Sequence, residues 1–205
     1  MDISALLGLK WSSSPITWAF AKPGPIQHGL GTVTRAVSDP TQQAEIIAGV
    51  EEWAKVSGVQ LQQVEDPSKA NIKIGYGDPT NLIGQDIWYY NPSNNTFIDD
   101  LVLLKDPAIA SLSMDGSGHL SYDNGVELEQ LATHEFGVGL GLGEGDGSDV
   151  NSAMNHVLTS QNRIPDAADI IAIESLYGPA PKPTPVPAPA PAPAPAPAAG
   201  PAPHN

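Results

Sequence analysis

An α+β fold is predicted by three observations on this 205-residue sequence. Short alternating, β-branched runs fill the first half. Two longer segments carry apolar residues at three-and-four spacing between helix start and stop signals, and a third such segment precedes a change of composition. That change comes at Gly178, after which large apolar residues vanish, so residues 1–178 read as one domain and 179–205 as a Pro/Ala-rich disordered tail or linker. With 40% hydrophobic residues the domain can bury a real core.

The elements run in order along the chain. ITWAF (16–20) reads as a strand. Asp39-Pro40 opens a helix over TQQAEIIAGVEEWAKVSG, with Ile46, Ile47, Val50, Trp53 and Ala54 on one face and Gly58 as the stop. VQLQQVED and NIKIGYG alternate as strands, Ile72 and Ile74 sharing a face, and IWYYN is a further short strand. Their close spacing predicts a small sheet packed on the first helix. TFIDDLVLLKDPAIASLSMDGSGHLSYDNG, rich in Asp, Asn, Ser and Gly, reads as mostly loop. A second helix is expected from about Val126 through ELEQLATHEFGVGL, ending near Gly141, where alternating glycines weaken it. The last, PDAADIIAIESLYG, opens at Pro165 and should bury Ile170, Ile173, Leu176 and Tyr177. Beyond it, GPAPKPTPVPAPAPAPAPAPAAGPAPHN lacks backbone donors at every proline and is expected to extend as a polyproline II spacer.

Composition excludes several functions. Nine Lys and Arg against 23 Asp and Glu give a net charge of -14, which argues against nucleic acid or an anionic membrane as partner. No run approaches the length of a membrane-spanning helix, and MDISALLGLKW lacks the basic start and cleavage site of an ordinary signal peptide. With no cysteine, any metal must be held by His, Asp, Glu or backbone oxygens. An EF-hand starting at Asp115 is rejected because its sixth and twelfth positions are Leu120 and Val126. Looser calcium binding through Asp99, Asp100, Asp115 or Asp123 stays open beside the simpler reading as solvated loop acids. His28, His119 and His204 belong to no motif and read as surface residues.

The stretch HEFGVGLGLGE (134–144) carries the chemistry. Histidines at i and i+4 on a helix reach one zinc ion, a Glu after the first His is aimed at a metal-bound water, a glycine at i+7 turns the chain, and a third ligand follows at i+10. His134, Glu135 and Gly141 match that pattern, and Ser152-Ala153-Met154 is similar to the Met-turn that follows it. With the helix that ends in LYG and WAKVSGVQLQQVEDPSKANIKIGYGD before it, the chain from Trp11 to Gly178 resembles a matrixin or serralysin-type metzincin metallopeptidase.

The resemblance implies a twisted mixed sheet packed on two long helices, a Met-turn, a C-terminal helix and a cleft with catalytic zinc. It further implies Glu135 as general base in peptide-bond hydrolysis, a protein or peptide as substrate or ligand, a monomer, and an extracellular setting. The sequence departs from the pattern at two ligand positions, where Val138 and Glu144 replace histidines. A carboxylate can ligate zinc; a valine cannot. His156 stands at the place where serralysins and astacins carry a tyrosine resembling an extra ligand, so the metal set that can be drawn is His134, Glu144 and His156. The blander reading makes His134 and Glu135 buried, hydrogen-bonded residues, His156 a turn residue, and Glu144, Asp146 and Asp149 a solvated acidic loop. Two functions therefore compete: a secreted zinc metalloendopeptidase with an impaired site, and a non-catalytic module that keeps the substrate cleft.

Overall fold

A computed structural model describes residues 6–181; the expected tail from residue 182 onward lies outside them. The central sheet has five strands: β1 (Ile16–Phe20), β4 (Leu61–Gln63), β5 (Ile72–Gly77), β6 (Gly84–Asn91) and β7 (Thr96–Lys105), in the order β4-β1-β5-β7-β6. The first four in that order run parallel, and β6 closes the edge antiparallel to β7. Ile72, Ile74, Val102 and Leu104 belong to the larger apolar cluster, which includes Trp53 and Phe136 of the long helices. Leu101 and Leu103 join Leu30 and Val33 in a second cluster with the hairpin of β2 (Gly24–Ile26) and β3 (Gly31–Val33). Cover on both faces explains why β5 is buried along its whole length, with no solvent-facing alternation.

The long strand β7 corrects the loop expected over this segment. Its Asp99 and Asp100, expected as loop acids, are both buried. Asp99 is paired with the Lys73 ammonium and with His28 Nδ1 at 3.1 Å, partners distant in sequence that make a central strand out of a polar-looking start. The loop reading does hold for much of residues 106–125, whose only strands are the short hairpin β8 (Leu112–Met114) and β9 (Leu120–Tyr122).

Helix α1 (Pro40–Val56) starts where expected because the Asp39 carboxylate accepts the amides of Thr41 and Gln42 at 2.9 and 3.0 Å. Ile46, Val50 and Trp53 are buried, and the Trp53 indole donates to the Thr133 carbonyl at 2.9 Å, tying α1 to helix α2 (Leu128–Gly139). The last carbonyls of α2 are satisfied by side chains: Trp11 Nε1 donates to Gly139 at 2.8 Å and Tyr177 Oη to Leu140 at 2.7 Å. The chain then turns at Gly141, whose φ of 103° only glycine adopts readily.

Helix α3 (Ala167–Tyr177) begins after Asp166, which forms a capping box with Asp169. Its buried side is Ala168, Asp169, Ala172 and Ile173, whereas Ile170, Leu176 and Tyr177 are half-buried. The rotation away from the expected apolar face follows from Asp169, which accepts from Ser152 Oγ and the Ala153 amide, each at 2.7 Å. These two bonds, with a third from the Asp166 amide, offset the cost of burying the carboxylate.

Candidate active site

A cleft of about 710 Å³ lies between α2 and the sheet-edge strand β6, with the chain after α2 at its end. Gly84 and Trp88 come from β6, His134, Glu135 and Val138 from α2, and Glu144 and His156 from the following loops. The helix period brings His134, Glu135 and Val138 to this side as expected, and all three are buried.

The His134 ring is oriented from behind. Its Nδ1 lies 2.8 Å from the Ala153 carbonyl, which can only accept, so Nδ1 carries the hydrogen and Nε2 is left to face the cleft. Met154, the residue after Ala153 in the same turn, is fully buried. A Cβ on Gly137 would come within 2.5 Å of the Met154 sulfur, so glycine at 137 is what lets this turn sit under the helix. Glu144 Oε1 stands 3.6 Å from His134 Nε2 with 60% of its side chain exposed. Burial works against charging the His134 ring, but Glu144, then Glu135 and the Ala153 carbonyl, outweigh it and hold its pKa above the usual histidine value. The same contact with His134 lowers the pKa of Glu144.

Burial pushes Glu135 up to about 7, with His134 partly opposing the shift. Its Oε1 occupies space that a Cβ on Gly84 would approach to 2.4 Å, so β6 can lie this close to the carboxyl only without a side chain there. Two more carboxyls lie behind it that sequence reasoning did not bring to the site. The carboxyl oxygens of Asp86 of β6, which lines the cleft, and of the buried Asp100 of β7 are out of solvent beside Gly139, with no hydrogen-bond donor among the described residues. Burial, then the charge of Asp100, raises Asp86 well above the carboxylate range; burial likewise raises Asp100 to about 7. A proton shared between them satisfies both. No local signal exposes this pair, because its members sit on adjacent antiparallel strands with the hairpin between them.

The donor set meets a catalytic zinc site only in part. His134 Nε2 and Glu144 Oε1 are close enough to serve one ion, but such a site takes three protein ligands and Val138 offers none. His156 lines the cleft, yet it is exposed, its Nδ1 lies 3.2 Å from the Gly145 carbonyl, and its ring does not converge with the other two into a compact group. The structure thus brings His134, Glu135 and Glu144 together and leaves His156 at the rim.

A family model described as Matrixin matches residues 10–178. The hatching enzyme of Paracentrotus lividus is 27% identical over an alignment 184 positions long that covers 83% of this chain and 28% of that protein. This chain therefore spans well under a third of that relative's length.

Proposed function

We propose that this chain, which belongs to the matrixin family, takes protein or peptide segments in its cleft and that its peptide-bond hydrolysis is impaired; the family implies zinc as the metal. The observation that carries this reading is Val138, buried in the cleft one helical turn after His134 where the zinc pattern needs an imidazole. An extended peptide would pair with the free edge of β6, whose other edge is occupied by β7. Glu135 is the general base: a carboxyl with a pKa of about 7 takes a proton from water and returns it to a leaving amine near neutral pH. Residual zinc affinity would rest on His134 and Glu144, with His156 recruited from the rim. The setting is extracellular, in keeping with the family resemblance; among the described residues no helix is long and apolar enough to cross a membrane.

A second reading, a non-catalytic module that uses the same cleft, is favoured by the His134–Glu144 contact, since a raised imidazole pKa and a lowered carboxylate pKa let the two satisfy each other as an ion pair. A quenched-peptide assay with added zinc separates the readings. The unmodified chain should turn over more than about 100-fold more slowly than a Val138→His, Glu144→His double variant, a loss beyond that of an outer-shell partner of a metal ligand. Equal turnover would overturn the impaired-site reading, and peptide binding without turnover in either protein favours the non-catalytic module.

A further inference from the structure

Away from the cleft, three metal-ligating side chains from three separate elements converge: Glu45 of α1, His119 between β8 and β9, and Glu129 in the first turn of α2. One ligand atom from each lies within 4.8 Å of the others, and all three residues are half-buried. None of them lines the cleft. We propose that Glu45, His119 and Glu129 form a second divalent-cation site that pins the β8–β9 turn to both long helices.

Three observations support it. The Oε2 atom of Glu45 is out of solvent and has no hydrogen-bond partner, an arrangement that costs free energy unless something positive fills it. The carboxylates of Glu45 and Glu129 offer ligand oxygens within 4.8 Å of each other, a pair of negative charges short of positive charge. The nearest guanidinium does not supply that charge to the pair. Arg163 Nη2 lies 2.6 Å from Glu127 Oε2, so its charge is committed to that carboxylate. It stands 3.0 Å from both ring nitrogens of His119, which places it over the ring face, since an in-plane position would collide with the carbon between them. The in-plane lone pair of an unprotonated ring nitrogen therefore stays free.

The donor set selects the ion. One imidazole nitrogen with two carboxylate oxygens suits a first-row transition dication such as zinc, whereas calcium takes oxygen ligands only. Two carboxylates and a neutral imidazole balance a dication, so the loaded group is neutral overall. Zinc holds nitrogen and oxygen ligands at about 2.0–2.2 Å, so the three ligand atoms would draw in by about 1 Å and leave a fourth position for water. Bound metal would add its binding free energy to the folded state.

The test uses the full chain carrying His134→Ala, so that the cleft cannot retain zinc through that ring. Calorimetric titration with zinc chloride should show a single equivalent bound and a rise in melting temperature. Glu45→Gln, which keeps the side chain's shape, and His119→Ala should each weaken that binding by at least about tenfold, with far-ultraviolet circular dichroism reporting an unchanged fold. Millimolar calcium should not displace the zinc. Absence of uptake, or uptake that Glu45→Gln leaves unchanged, overturns the site, and equal displacement by calcium overturns the assignment of the ion.

Discussion

The His134 imidazole donates through Nδ1 to the carbonyl of Ala153 at 2.8 Å, and the amide of the same Ala153 is held by the Asp169 carboxylate at 2.7 Å. The cleft histidine is thus oriented by α3 through a single residue of the turn. Asp169→Ala removes a buried charge-assisted acceptor that also takes Ser152 Oγ and the Asp166 amide. It should cost about 3 kcal/mol in urea unfolding, the upper range for a hydrogen bond to a charged group. A loss below about 0.5 kcal/mol, the scale of an ordinary surface change, would show that Asp169 does not hold the turn.

Stability should fall as pH rises from about 4 through 7. Asp86 and Asp100 are raised chiefly by burial, Asp100 to about 7, whereas both ionise near pH 4 in the unfolded chain. The folded protein therefore keeps protons that the unfolded chain has released, and the contribution is full below about pH 4 and lost as pH climbs through 7. Glu135, also at about 7, and His134, held above its ordinary value, act in the same direction, while the lowered Glu144 opposes them. The urea midpoint should be lower at pH 8 than at pH 5.5, and Asp86→Asn should shrink the difference. A pH dependence untouched by that substitution would contradict the shared-proton arrangement.

The helices are legible because their signals are local. Asp39-Pro40 announces the start of α1, Gly141 the end of α2, and Pro165 and Gly178 bracket α3. His134, Glu135 and Val138 are legible for the same reason, since a helix period places them on one side. What the sequence hides depends on partners brought together by the sheet. Asp99 and Asp100 look like loop acids until Lys73 and Asp86 stand beside them, and that concealed the longest strand of the sheet. His119, read as a lone surface histidine, gains its place only when α1 and α2 bring Glu45 and Glu129 to it.

Recruitment of His156 is separable from the role of Glu135. His156→Ala should weaken zinc binding in the cleft, because it removes the third donor available at the rim. Glu135→Gln should spare zinc binding and abolish any hydrolysis, since an amide cannot shuttle a proton. Cleft affinity indifferent to His156→Ala would show that the rim histidine takes no part.

The incomplete zinc site is tested most directly by calorimetric zinc affinity at the cleft, in a chain carrying Glu45→Gln and His119→Ala so that the second group does not contribute. Adding Val138→His restores a donor one helical turn from His134. Affinity should rise by more than about 100-fold, exceeding what outer-shell partners alone contribute. If the chain with Val138 already binds zinc as tightly as the Val138→His variant, the site is complete without that imidazole and the account of an impaired matrixin cleft is wrong.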